Sequence, residues 1–404
     1  MIAPRRHPAQ DHFRQPLTET PFHPRLAALC ETESWYNWAG QKALHSVYDE
    51  ELEYFAIRST AAVFDISPMI KYRIRGPGAE AMLNRLTLRD VRKLAPGRVQ
   101  YTAWCDDAGE VLDDGTLFRP GPQEFRLCSQ GRHLPWILDT AEGFDCTVED
   151  ESTAIAGLAL QGPASFAVLQ AAGFSGLETL KTFNIRDLPH EGGQVTISRT
   201  GFTGDLGYEL FCPAEAALSL WDRLWSAGAP LGLKPIGYNA LDRARIEAGF
   251  IVPGTDFIAT DLALRADRAR LPDEIGLDWL VDPAKTQFNG RRAIMAARAK
   301  GGPRHVLVGL EVEDNTPAVG AILYHHKKRE AGVVSSAIWS PMLKRNIAIA
   351  SLDAPYGSRI TEDLWVEIYA LRELRYHKLM KRARIVPRPF LKLRRRTVTP
   401  PGLV

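Results

Sequence analysis

The sequence predicts an α+β protein with a small all-β unit towards its carboxyl end. Up to about residue 300, strand-like and helix-like runs alternate without a regular βαβ fingerprint. Beyond Lys300-Gly301-Gly302-Pro303, a linker by composition, the chain turns into short strands at fairly regular intervals, as in a small β-barrel or sandwich. Length and composition agree, because 404 residues can build two or three compact cores and 45% hydrophobic with 24% charged residues is an ordinary globular balance.

Residues 1–30 read as a weakly ordered arm, interrupted by Pro4, Pro8, Pro16, Pro21 and Pro24. EELEYFAIRSTAA, from Glu50, has helical apolar spacing, and Pro68 in VFDISPM stops any helix. IKYRIRG is a strand, and PGAEAMLNRLTL a helix opened by Pro77. VQYTAWCD, a turn at Asp107-Ala108-Gly109 and EVLDDGTLFRP form a hairpin, followed by the strand EFRLCSQ. HLPWILDTAEG is a helix, and IAGLALQGPASFAVLQAAG reads as strand, turn, helix. RTGFTGDLGYELF is a glycine-rich loop running into a strand, and AEAALSLWDRLWSAG and NALDRARIEAG are amphipathic helices. In the last unit HVLVGLEV, AVGAILYH, AGVVSSAI, NIAIASLD and LWVEIYAL are strands. The run from Lys378 to Arg396, basic and without an acid, reads as a solvated terminal extension.

A net charge of +2 predicts no polyanion partner for the whole chain. Five scattered cysteines with no C-x-x-C pair point to a reduced cytoplasm and away from a zinc site, and the ten histidines show no metal spacing. No signal peptide or membrane-spanning apolar run is expected.

Several polar residues stand in apolar or glycine-rich surroundings. Asp113 and Asp114 are neighbours on a strand, so one can face solvent while the other enters a cleft. Glu209 is a lone carboxylate just after the glycine-rich loop, whose Gly201, Gly204 and Gly207 can supply turns or a close backbone approach. Arg245 and Glu247 lie on the NALDRARIEAG helix, where a surface ion-pair helix would look the same. Trp35, Tyr36 and Trp38 suit either a core or an apolar pocket. Scattered groups of this kind suit a flat, hydrogen-bonding ligand with an anionic tail.

FDISPM, VQYTAW, GEVLDDG, LALQGPA, ISRTGFTGDLGYELF, ALDRARIEAGF, PDEIGLDWLVDPAKTQFNGRRAI and SSAIWSPMLKRNIAIA occur in this order from about residue 35 to 390. In that order they resemble the aminomethyltransferase family, which includes the glycine cleavage T-protein and folate-dependent demethylases. The resemblance implies a ring-like fold of three domains: two interleaved α+β domains over 31–299 and a barrel over 303–390, followed by a basic tail, 391–404. It implies tetrahydrofolate near the centre. Asp114 then matches the acid near the reactive pterin nitrogen, Glu209 the carboxylate on the amino-pyrimidine edge, and Arg245 the arginine of the R-x-E-A-G helix, with Glu247 beside it. Tyr101 and Phe202 match aromatic lining residues, and Trp35, Trp38 and Pro68 fall where the substrate pocket is expected. Under this reading the loop glycines let backbone approach the pterin.

The sequence also departs from the T-protein pattern. Ser67-Pro68-Met69 stands for S-H-M, Gly201-Phe202-Thr203-Gly204-Asp205 for G-Y-T-G-E, and Val252-Pro253-Gly254 for L-Y-G. The reading that follows is a tetrahydrofolate-dependent demethylase of a small methylated compound (methoxyaromatic, methylamine or sulfonium). Its product is 5-methyltetrahydrofolate, or 5,10-methylenetetrahydrofolate for a more oxidised carbon. The enzyme alternative is the T-protein itself, with a lipoyl carrier as partner. A third reading is a non-enzymatic folate-binding protein assisting RNA modification or iron–sulfur assembly, whose K-G-C-Y-x-G-Q-E motif is missing.

Overall fold

The structure, a computed structural model, describes residues 16–191 and 193–398. Its central strand, Ile155–Gln161, is apolar until its last residue and buried at every position after Ile155, so it must be covered on both faces. It sits inside a six-stranded sheet, between Gly207–Pro213 and Ala61–Asp65. The chain between Asp65 and Ile155 forms a second, five-stranded antiparallel sheet containing the hairpin Arg98–Cys105 and Val111–Gly121. Helices Ser165–Ala171 and Ala217–Gly228 cover the first sheet, and Ala79–Leu86 and Leu134–Ala141 the second.

The sheets face each other across a shared apolar layer in which Val99, Phe118 and Cys128 of one meet Phe64, Ala159 and Phe211 of the other. Phe118 and Phe211 meet edge to face at 5.5 Å. A further cluster joins Ala103, Cys105 and Val111 to Ile251, Ile275 and Leu277 and to Leu307 and Ile349 of the carboxyl-terminal unit. That unit is a closed six-stranded barrel. The α+β class and the terminal barrel are as the sequence predicts.

The structure differs from three expectations. First, the part of the proposed arm within the described residues is packed: Phe22 and Leu26 are buried with Trp221 and Leu44, and Arg25 pairs with Asp222 at 2.7 Å. Pro24 opens the helix His23–Leu29, a position where its missing N–H costs nothing. Residues 1–15 lie outside the described residues. Second, the helix from Glu50 ends at Ser59, because Ala61–Asp65 pairs with Ile155–Gln161. Third, the first half of the basic run belongs to the sixth barrel strand, Arg375–Val386. Leu379, Ala383 and Ile385 face the barrel core, while Lys378 and Arg384 reach Glu367 and Glu311 on neighbouring strands.

The tail beyond the barrel is docked as well. Leu391 N–H donates to the Glu247 carbonyl, Arg199 donates to the Val398 carbonyl, and Arg395 pairs with buried Asp205 at 2.6 Å. Residues 399–404 of the proposed tail lie outside the described residues.

Candidate functional site

Strand alternation sends Asp113 and Asp114 to opposite faces of Val111–Gly121. Asp113 is sealed, at 1% exposure; it accepts from the backbone N–H groups of Asp114 and Gly131, each at 2.8 Å, and faces His133 Nε2 at 3.1 Å. Burial alone would lower the His133 pKa, but the hydrogen bond and charge of Asp113 outweigh it and raise the value. Asp114 is only half-buried and accepts from the Tyr101 hydroxyl at 2.7 Å. Burial, reinforced by the charge of Asp113, pushes its carboxyl up to about 7, against the opposing pull of the Tyr101 hydrogen bond.

Glu209 presents the same combination. Its strand places it between Ser198 and Ala159, and its carboxylate accepts from Thr200 Oγ1 at 2.5 Å. Burial raises its pKa, and only the Thr200 bond opposes this. The two carboxylates belong to different sheets but face one junction. Tyr101 is in register with Thr116 and Thr116 with Cys128, whose buried thiol is pushed further up by the charge of Glu209. Asp114, Tyr101 and Glu209 thus lie on strand faces turned toward the shared apolar layer.

Aromatic residues frame the junction. Phe202 lies against the inter-sheet layer and stacks on Phe250 at 5.3 Å, and Trp38 stacks on Phe64 at 6.1 Å in the same layer. Trp279 stacks on Tyr101 at 6.0 Å. Pro68 is buried in a tight turn, and the Lys71 ammonium donates to the flanking carbonyls of Ser67 and Met69.

The remaining predicted residues serve other purposes. Trp35 packs on His23 at 4.6 Å, against the core of the first sheet rather than the junction. Glu247 is fully buried and accepts from Tyr54, Arg58 and Ser340, so its carboxylate is saturated by protein donors. Arg245 is likewise consumed by Asp242, Asp256 and Ser336. Both side chains tie the helix Tyr238–Glu247 to its surroundings, including the barrel strand Arg329–Ser340. Buried charges need such partners, and a helix sequence does not reveal that most of them lie about 10 to 190 residues away.

The loop glycines also have a different cause from the expected one. A Cβ at Gly201 or Gly207 would collide with the Gln161 side chain, and Gly204, at φ 72°, would bring one within 2.6 Å of the Ala248 Cβ. They make room for protein side chains.

Sequence reading missed His133, whose only signal was the Asp-Asp pair it partners. It also missed Arg388, masked within a run of basic residues.

Two α+β sheets joined by an apolar layer and closed by a six-stranded barrel define the class of this fold. The family comparisons agree with that class. Residues 27–285 match the GCVT N-terminal domain and 305–392 the glycine cleavage T-protein C-terminal barrel domain. The chain belongs to the glycine cleavage T-protein family, whose enzymes are tetrahydrofolate-dependent one-carbon transferases. It is 33% identical over 382 residues to an aminomethyltransferase of Geobacillus thermodenitrificans, covering 93% of this chain and 99% of that one. It is 34% identical over 370 residues to a trimethylamine-oxide aldolase of Ruegeria pomeroyi, covering 87% of this chain and 45% of the aldolase. The glycine cleavage system aminomethyltransferase T of Bartonella henselae superposes with a TM-score of 0.80 at 25% identity, over 93% of this chain and 98% of that structure. Among the described residues, no helix is long and apolar enough to cross a membrane.

Proposed function

We propose that the protein moves a one-carbon unit from a small methylated donor to tetrahydrofolate. The observation that carries this reading is Asp114, a half-buried carboxyl near pH 7 in a 2.7 Å hydrogen bond with Tyr101, facing the junction that Glu209 faces from the other sheet. The residues suit the pterin: Glu209 has one hydroxyl partner and acceptor capacity to spare, which an edge of N–H donors fills. When bound, tetrahydrofolate supplies a nucleophilic amine that takes the one-carbon unit. Asp114, poised between its two protonation states, accepts the proton released at that amine and balances the positive charge that precedes the release. The donor's leaving group departs with the electron pair of the bond it loses. Phe202, Trp38 and Pro68 give the surroundings an apolar lining that restricts water.

The second reading, aminomethyl transfer from a lipoyl arm, has the aminomethyltransferase relatives in its favour. Against it stand Pro68 and Phe202, which leave a pyrrolidine ring and a phenyl ring where the T-protein pattern carries a histidine and a tyrosine. Kinship with a trimethylamine-oxide aldolase favours a methylated small molecule. Incubation with tetrahydrofolate and an aminomethylated lipoyl carrier separates the two readings. Ammonia release would establish the aminomethyl reaction, whereas methyl- or methylene-folate formed from methylated amines, sulfonium compounds or methoxyaromatics supports the first.

A further inference from the structure

Two buried arginines of this protein are neutralised by acids. Arg58 pairs with Glu247 and Asp205, and Arg245 with Asp242 and Asp256. Arg388, just past the barrel, is half-buried and has no such pair among the described residues. Its stem passes between Gly249 and Gly309, where an added Cβ would come within 3.0 Å and 2.9 Å of it. Its tip arrives at Gly276, where a Cβ would lie 2.6 Å from one terminal nitrogen. Three glycines therefore keep a corridor open for one side chain. At the end of the corridor the guanidinium makes a single hydrogen bond, to the Gly249 carbonyl at 3.3 Å, and among the described residues it has no carboxylate within ion-pair distance. Asp256 is close enough to be felt, but its oxygens are taken by Arg245, Val252 N–H, Ser335 and Ser336.

The corridor leads to the candidate site. Ile275 and Leu277, on either side of Gly276, share an apolar cluster with Tyr101, and Arg388 and Tyr101 act on each other electrostatically. A desolvated cation without a counter-charge is costly in a folded protein unless a ligand provides the partner. A guanidinium with a free fork suits a planar carboxylate, to which it can donate two parallel hydrogen bonds.

We propose that Arg388 is the specificity-determining residue for the one-carbon donor, and that the donor is a methylated compound bearing a carboxylate. This inference rests on the one-carbon transfer reading. Folate has carboxylates of its own, and Arg396 is a second cation within reach of the same aromatic residues. Arg396 lies 5.1 Å over Phe250, which stacks on Phe202, and it too has no acid partner among the described residues. Arg388 instead stands on the Tyr101 side, where Asp114 receives the proton.

The test uses the full chain and pairs of donors that differ by a carboxylate: trimethylglycine against tetramethylammonium, and para-methoxybenzoate against methoxybenzene. Binding is titrated calorimetrically to protein saturated with tetrahydrofolate, and product folate is followed by mass spectrometry. The carboxylated member of at least one pair should bind about tenfold or more tightly than its neutral or cationic partner. Arg388→Gln should erase that preference while tetrahydrofolate still binds as to the unaltered protein, which also shows that the variant is folded; Arg388→Lys should restore it in part. Equal binding within every pair, or no binding by any carboxylated donor, would overturn the proposal. So would a loss of folate affinity in Arg388→Gln, which would assign the residue to the folate tail. Failure of the unaltered protein to bind tetrahydrofolate at all would instead remove the one-carbon reading beneath it.

Discussion

Replacing Asp114 by Asn isolates the charge of one carboxyl while keeping an oxygen that accepts from Tyr101. Burial and the charge of Asp113 push the native carboxyl up to about 7, from an ordinary carboxylate value near 3.8. Between those values the folded chain binds more protons than the unfolded one, so wild-type stability falls as pH rises from about 4 to about 7 and stays reduced above that. The full shift corresponds to roughly 4 kcal/mol at most, and exchange with water in a half-open cleft reduces it to about 1–3 kcal/mol. Asp114→Asn lacks this titration. Its advantage over wild type in urea midpoint should therefore grow by that amount between pH 5 and pH 8 and then level off. The same substitution should slow one-carbon transfer roughly a hundredfold or more with folate binding retained. A stability difference that stays constant between pH 5 and pH 8 would refute the assignment of a raised pKa to Asp114. An unimpaired rate would remove it from the mechanism.

Further perturbations separate recognition from architecture. Glu209→Gln should weaken tetrahydrofolate binding roughly tenfold to a hundredfold by calorimetry, since a charge-assisted acceptor is lost, with little change in thermal stability. Glu247→Gln should do the reverse, costing about 3–5 kcal/mol in denaturant unfolding because Arg58 loses its nearest buried carboxylate, 2.7 Å away. Phe22→Ala should destabilise the protein by about 3–5 kcal/mol, as expected for a fully buried ring and not for part of a loose arm.

The parts of the fold legible in the sequence were those governed by local periodicity. Alternation in VQYTAWCD and EVLDDGTLFRP placed Asp114 on a strand with its neighbour turned away, and the glycine-rich loop announced the strand of Glu209. Long-range partnership was not legible. Arg245 and Glu247 resemble ligand groups when the helix is read alone; only the fold shows Asp256, Arg58 and Ser340 satisfying them. The sixth barrel strand escaped because its outward residues are basic, and the acids that balance them, Glu367 and Glu311, lie on other strands. The prolines before residue 25 suggested disorder, although Pro24 begins a helix whose Leu26 is core.

The most direct measurement is a crystal structure of the protein with tetrahydrofolate bound. The account requires the amino-pyrimidine edge within hydrogen-bond distance of Glu209 and the reactive amine beside Asp114. A pterin held anywhere else, or bound with either carboxylate turned from it, would contradict the account.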